Sequence, residues 1–220
     1  LVSKLPRNRR KLNISVFKII LVLVLAIVIV GVGAGFGALK GILDDTPNIN
    51  ADALIPKGYK TTLVYQNGKE ITTLANSNSN REYVYYDSIP EDLVNAFVAI
   101  EDRRFWEHNG IDVQGIARAF IKGLKSGDFD EGASTLTQQL IKNNVFNVGL
   151  NESTFLDKLE RKVQEQYLAV DMEKKIDKKS IVEYYLNTIY LGEGCYGVET
   201  PAKTYFGKEL SQLSVSECAV

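Results

Sequence analysis

The 220-residue sequence carries 26 basic and 27 acidic residues, and 45% of it is apolar, which favours a folded core over disorder. Six basic and no acidic residues precede Lys40, leaving 20 basic against 27 acidic in the remainder. An acidic body excludes a general nucleic-acid binder, which needs a basic surface.

The N-terminal segment predicts a membrane anchor. Residues 1–18 form a basic tail, and residues 19–39 form an uncharged run, long enough as a helix to cross a hydrocarbon core of about 30 Å. The basic tail is expected to stay cytoplasmic, which places residues 40–220 outside. A cleavable signal peptide is the alternative, although its apolar stretch is normally only about 7–15 residues.

Residues 40–87 predict a linker followed by a β-hairpin. Pro47, Pro56 and Gly58 are typical of a linker leaving the membrane. Two stretches of strand-forming residues, 61–66 and 69–74, flank Asn67-Gly68, a strong hairpin signal.

From residue 88 onward, apolar residues recur at helical spacing, so residues 88–220 predict a mainly α domain. Capping residues mark the expected helix starts, which are Ser88, Asp112, Ser134 or Thr135, Thr154 or Asp157, Asp177 and Ser214. The corresponding helices include Val113–Lys125, a long one ending near Lys174, and Ser180–Leu191. The chain starts at Leu1, its single methionine is Met172, and an apolar helix begins near Val220. It is therefore interpreted as a fragment cut at one or both ends, whose domain over residues 88–220 is truncated at its C-terminus.

The predicted helix over residues 113–125 is amphipathic, with Ile116, Phe120 and Leu124 on one side and basic residues beside them. Such a segment fits a helix lying on a membrane surface. A core-packed helix with a solvated basic face fits the pattern equally well. Cys195 and Cys218 are too few for a disulfide framework and are expected to be free thiols.

The segment Glu101–Asp112 contains the first candidate for chemistry. Glu101 follows Phe97 by four residues and Val94 by seven, so a carboxylate shares the face of an apolar stripe. Desolvation there would raise its pKa and make it a plausible general base. The alternative is an ion pair with Arg104. His108 is the single histidine, and a structural hydrogen-bonding role is the commoner one for such a residue.

Further segments follow in order: Gly132–Asn143, Arg161–Glu165, Ile181–Gly197, and Tyr205–Lys208 with Leu213 and Glu217. With Glu101–Asp112, they resemble the five signatures of family 51 glycosyltransferases, the peptidoglycan-polymerising domains of class A penicillin-binding proteins and their monofunctional relatives. Two positions depart from the pattern, namely Ala133 in place of the usual glycine and Pro201 where a small residue is commoner.

The resemblance implies a lysozyme-like helical glycosyltransferase domain with Glu101 as the general base. This carboxylate would take a proton from the 4-hydroxyl of the acceptor sugar in lipid II. The oxygen would attack the anomeric carbon of the growing chain, releasing undecaprenyl diphosphate. Glu165 would lie near that diphosphate, through a divalent metal ion (Mg or Mn) or as a proton donor, and no organic cofactor is implied. The expected substrate-binding residues are Ser134, Thr135, Gln139, Lys142, Arg161 and Lys162.

The resemblance also implies a single-pass protein of the bacterial cell membrane, with its catalytic domain outside. The expected partners are lipid II, the growing glycan chain, the membrane and the cell-wall synthesis machinery. Two alternatives stay open at this point. A muramidase-type hydrolase also uses two carboxylates, but it would not need the cations Lys142, Arg161 and Lys162. A non-catalytic, membrane-tethered wall-binding protein would not need Glu101 and Glu165.

Overall fold

The computed structural model describes residues 9–76, 79–127, 132–146 and 154–220, with side chains from residue 16 onward. The chain divides into two compact units, residues 1–46 and residues 47–220. The first unit contains helix α1, Arg9–Asp44. Its stretch Val16–Asp44 is long and apolar enough to cross a membrane, and none of its most apolar window is buried in the protein. The helix extends past the predicted span at both ends, and residues 1–8 of the predicted tail lie outside the described residues.

The second unit begins with a short 3-10 turn and a two-stranded antiparallel hairpin. Strands β1, Thr61–Val64, and β2, Glu70–Leu74, are joined through Asn67 and Gly68, whose φ is +81°. The predicted hairpin is confirmed, with shorter strands and a register irregularity after Leu63. Part of the predicted linker is packed rather than free, because Leu54 is fully buried and its carbonyl accepts a 2.7 Å hydrogen bond from Asn144.

Seven helices make up the rest of the second unit, so the mainly α prediction is confirmed for the described residues. They are α2 Glu91–Glu101, α3 Val113–Ser126, α4 Leu136–Asn144, α5 Phe155–Met172, α6 Lys178–Thr188, α7 Glu199–Phe206 and α8 Val215–Cys218. Five predicted caps are confirmed, because the side-chain oxygen of each accepts a hydrogen bond from the N–H three residues later in the chain. They are Asp112, Thr135, Thr154, Asp177 and Ser214.

Two predicted helix boundaries were wrong. Ser88 does not cap α2, because Ile89 precedes a proline and adopts an extended conformation, which delays the helix to Glu91. Helix α6 ends at Thr188 rather than Leu191, because Ile189 is extended and a turn with Gly192 at φ +90° follows. Both cysteines are buried free thiols, as expected.

Helix α4 lies at the centre of the core and packs against both α5 and α6. Its apolar side chains Leu136, Leu140 and Ile141 are at most 1% exposed. This packing holds α4 and α5 side by side, so that polar residues of both helices lie on the same side of the domain and line one wall of a cavity. The end of α2 and the loop that follows it supply the facing residues.

Candidate active site

A cavity of about 650 Å³ opens between the end of α2, the loop to α3, the start of α4 and helix α5. Of the eight residues predicted for the site, seven line this cavity: Glu101, Ser134, Thr135, Gln139, Lys142, Lys162 and Glu165. The eighth, Arg161, bonds to Glu165 from the same helix. The fold therefore gathers residues separated by up to 64 positions in the sequence.

Glu101 is the last residue of α2, and its side chain is exposed at the cavity. The expected desolvation on an apolar stripe was therefore wrong, because the helix ends at this residue and leaves its side chain exposed. Its Oε2 accepts a 2.8 Å hydrogen bond from Nε2 of Gln139. The alternative partner, Arg104, instead forms a two-pronged ion pair with Asp112, at 3.2 and 2.5 Å.

Glu165 is 1% exposed and is held by two cations of its own helix. Arg161 donates to Oε1, and Nζ of Lys162 lies 2.9 Å from Oε2. Lys162 also donates to Oγ of Ser134 at 2.7 Å, which ties α5 to the start of α4. A buried carboxylate is stable only with such compensation, since an unpaired buried charge is costly.

The backbone around Thr135 is already engaged within the protein. Its N–H donates to Gln138 Oε1, and its hydroxyl donates to the carbonyl of Gly110 at 2.8 Å. The next N–H, of Leu136, donates to Asp102 at 3.0 Å. The structural capping role of Thr135 is thus present, while its role in substrate binding stays a prediction.

Asp102, which directly follows Glu101, joins the loop to the start of α4. It is 5% exposed and accepts hydrogen bonds from Leu136 N–H and from Nε2 of His108, the latter at 2.9 and 3.0 Å. His108 thus has the structural role that the sequence favoured. The neighbouring Gly110 has φ +89°, and its backbone passes so close to Ala169 that an added Cβ would lie 2.6 Å from it. This contact fixes the loop against α5.

Comparison with known proteins shows which family this chain belongs to. The family model described as transglycosylase matches residues 67–220. The chain belongs to the transglycosylase family. It is 44% identical to penicillin-binding protein 1A of Clostridium novyi over 187 residues, which are 83% of this chain and 21% of the relative. It is also 51% identical to penicillin-binding protein 1A of Aquifex aeolicus over 140 residues, or 64% of this chain and 18% of the relative.

A further relative is penicillin-binding protein 1F of Bacillus subtilis, 41% identical over 158 residues, which are 72% of this chain and 21% of the relative. The chain thus spans about a fifth of the length of the curated relatives it matches. These matches confirm the family inferred from the five signatures, the glycosyltransferase family of class A penicillin-binding proteins.

The transglycosylase cavity contains charged residues that the site prediction missed: Asp102, Arg103, Arg104, Asp112 and Arg118. Four of them lie within the segment Glu101–Asp112, so their proximity to Glu101 in the sequence was an available signal. The pKa of Asp112 is held below its ordinary value. Burial would raise it, but hydrogen bonds from Arg104 and from the N–H of Gly115 outweigh that effect.

The residues of this transglycosylase cavity do not by themselves fit a metal centre. Among the described residues, no cluster of three or more His, Cys, Asp or Glu could hold a metal ion. Both oxygens of Glu165 already accept hydrogen bonds from cations. A divalent metal ion between Glu165 and the substrate diphosphate stays a prediction.

Proposed function

We propose that this chain is the membrane-anchored glycosyltransferase part of a cell-wall enzyme, which polymerises lipid II into glycan strands and releases undecaprenyl diphosphate. One observation carries the proposal. Glu101, the buried Glu165 and Lys162 line the same cavity of about 650 Å³ in a transglycosylase-family chain, and Arg161 pairs with Glu165 from the same helix. Glycosyl transfer from a diphosphate requires a general base for the acceptor hydroxyl and positively charged residues that bind the departing diphosphate, and both face this cavity.

In this proposal Glu101 acts as the general base. Its exposure at the cavity gives a sugar hydroxyl direct access. Gln139 binds Oε2, and among the described residues no hydrogen bond reaches Oε1, which can accept the proton. As the 4-hydroxyl of the acceptor loses its proton to Glu101, its oxygen forms a bond to the anomeric carbon of the donor. The bond between that carbon and the diphosphate oxygen breaks, and both electrons leave with the diphosphate.

Lys142 and Lys162 line the cavity and would bind the departing diphosphate, with Arg161 behind them. Charge grows on this group in the transition state, so cations fixed in advance lower the barrier. Ser134 and Glu165 hold Lys162 in place through hydrogen bonds of 2.7 and 2.9 Å. Glu165 would thereby position the anion site, with a proton-donating role as the further prediction.

Helix α3 supports membrane association of the catalytic unit. Its side chains Val113, Phe120, Ile121 and Leu124 are 53–71% exposed, whereas Gly115 and Gly123 form its buried side. These exposures argue against the core-packed alternative for the apolar face. An exposed apolar face beside basic residues suits the interface of a membrane with anionic headgroups, where a lipid-linked substrate is held.

A muramidase-type hydrolase remains the rival enzyme, and the leaving group separates the two. A hydrolase releases a neutral sugar hydroxyl and has no use for the cations at Glu165. We expect Lys142→Ala and Arg161→Ala each to lower lipid II turnover about 10²-fold or more. The control is Lys175→Ala, which removes a cation from an exposed pair with Asp171 outside the cavity.

The assay compares lipid II and preformed peptidoglycan as substrates for the same protein preparations. Polymer formation by the wild type, lost in the two cavity variants and kept in the control, supports the transferase. Cleavage of preformed glycan by wild type and cavity variants alike, without any polymerisation, would contradict it. A protein inactive on both substrates would favour the non-catalytic wall-binding alternative.

A further inference from the structure

Tyr185, on α6, lies behind the predicted site and does not line its cavity. The side chain is 3% exposed, and its ring packs edge-on against Phe97, with ring centroids 6.2 Å apart. Phe97 is one helical turn before Glu101 on α2. Tyr185 therefore contacts the helix that carries the proposed base while remaining outside the reach of a substrate.

The hydroxyl of Tyr185 donates a hydrogen bond to Oε1 of Gln139 at 3.3 Å. The other end of the same amide donates from Nε2 to Oε2 of Glu101 at 2.8 Å. A primary amide can present either its oxygen or its NH₂ group in a given direction, because the two ends have nearly the same shape. The phenol donates to the amide oxygen and the carboxylate accepts from the NH₂ group, so both contacts favour the same orientation of the amide.

The protonation state of Tyr185 agrees with this direction. Burial raises the pKa of its hydroxyl, and the nearby Glu101 raises it further. The phenol therefore keeps its proton at any pH at which the protein works, and it acts as a permanent donor to Gln139. The opposite arrangement, with the amide oxygen facing Glu101, would place two acceptors against each other.

We infer that Tyr185 is a positioning residue, which acts through Gln139 to fix the carboxylate of Glu101 with one oxygen free for the acceptor hydroxyl. This inference rests on the proposed function. Without the Tyr185 hydroxyl, the amide of Gln139 loses one of its two contacts, and it holds the carboxylate of Glu101 less firmly. The expected consequence is a lower rate of the chemical step with unchanged substrate binding, because Tyr185 itself does not line the cavity.

The test compares Tyr185→Phe with Tyr184→Phe in the full chain, using polymerisation of lipid II as the readout. Tyr184 is the preceding residue on the same helix, and it is half-buried against the core. Both substitutions remove one phenolic oxygen. We expect Tyr185→Phe to lower kcat about fivefold to tenfold with KM unchanged, as the loss of one buried hydrogen bond does. Tyr184→Phe is expected to keep the wild-type kcat.

A double-mutant cycle tests whether Tyr185 acts through Gln139. In a Gln139→Leu background the amide is gone, so Tyr185→Phe is expected to change kcat by less than about twofold. Gln139→Glu is a second variant that leaves Tyr185 in place, and it tests the same contact if Tyr185→Phe folds poorly. It keeps an acceptor for the phenol and removes the donor to Glu101, and we expect kcat to fall at least as far as in Tyr185→Phe.

The outcomes separate this inference from the proposed function. A wild-type chain that does not polymerise lipid II contradicts the function itself. If the wild type is active, three results would overturn the positioning role alone. These are an unchanged kcat in a folded Tyr185→Phe variant, additive effects of the two substitutions in the double-mutant cycle, and full activity of Gln139→Glu. A rise in KM at constant kcat would also overturn it, because it would place Tyr185 in substrate binding.

Discussion

Nζ of Lys162 lies 2.9 Å from Oε2 of Glu165, a carboxylate that is 1% exposed, although the side chain of Lys162 itself is 40% exposed. The lysine therefore connects a buried anion to the open cavity. Arg161 neutralises the other oxygen from deeper in the fold, with 16% of its side chain exposed. Two cations around one carboxylate leave an excess of positive charge, and that excess can face an incoming phosphate group.

The role of Glu101 as a base leads to the first prediction. Glu101→Gln keeps the size and the hydrogen-bonding ability of the side chain but removes its capacity to accept a proton at neutral pH. Loss of a general base typically costs about 10²–10⁴-fold in rate. We expect lipid II polymerisation to fall by that factor in a purified variant whose melting temperature is unchanged, because Glu101 is exposed.

The control for this variant is Glu107→Gln, which removes an exposed carboxylate from the same loop but outside the cavity lining. It is expected to polymerise lipid II at the wild-type rate. Near wild-type synthesis by Glu101→Gln would rule out the assignment of the base.

The orientation of the chain in the membrane is the second prediction. Helix α1 ends at Asp44, so a reporter fused after Thr46 follows the span directly. Because basic residues cluster on its N-terminal side, this reporter should be active only outside the cytoplasm. A matched reporter placed ahead of the helix, at residue 8, should behave in the opposite way. Cytoplasmic activity of the fusion after Thr46 would contradict the proposed function, whose substrate is expected on the outer side.

The close approach of the loop to α5 leads to the third prediction. Gly110 has φ +89°, and an added Cβ would lie 2.6 Å from the carbonyl of Ala169. Gly127 has φ +75°, and no atom of the described residues lies within 4 Å of the position of its added Cβ. Alanine is disfavoured at both positions because the positive φ strains its backbone, and only at Gly110 would its Cβ also clash with the backbone of α5. We expect Gly110→Ala to be less stable than Gly127→Ala by about 2 kcal/mol in urea unfolding. Equal stabilities would show that the loop has room to move away from α5.

Local signals in the sequence were enough to place most helices. Asp112 and Asp177 were recognised as helix starts from the side chain that caps the helix and from the apolar spacing after it, both of which act within one turn. The first three family signatures likewise named seven residues that line one cavity. The helix starts were predictable because capping depends on neighbours close in the chain, and the shared cavity was predictable because the resemblance already contains the fold. The roles of these residues stay predictions.

The surroundings of those residues could not be predicted in the same way. The exposure of Glu101 depends on what packs beyond the end of α2, and spacing within one helix does not contain that information. The pairing of Arg104 with Asp112 requires the loop to fold back. Tyr185 was missed because a buried aromatic residue in a helix is usually part of the core, and its partner Gln139 is 46 residues away.

The ion pair between Arg104 and Asp112 leads to the fourth prediction, which concerns pH. Asp112 also caps α3, accepting the N–H of Gly115 at 2.9 Å. Burial of Asp112 would raise its pKa, but these two donors outweigh burial and hold the pKa below the ordinary value of 3.8. A depressed pKa in the folded state means that the charged form stabilises the fold. That contribution to stability is present at pH values above the pKa of Asp112 in the unfolded chain. It is lost as the pH falls through the pKa of Asp112 in the folded protein.

Asp112→Asn removes the charge but keeps a side-chain oxygen for the cap. At pH 7 we expect it to be less stable than the wild type by about 1 kcal/mol, because the pair is partly open to solvent. The difference between the two proteins should shrink as the pH falls below about 3.8. Thermal unfolding of both proteins from pH 7 to pH 2 measures it, since other acid-sensitive groups affect both equally. A difference that stays constant across this range would mean that the charge of Asp112 adds nothing and that the capping oxygen alone holds α3.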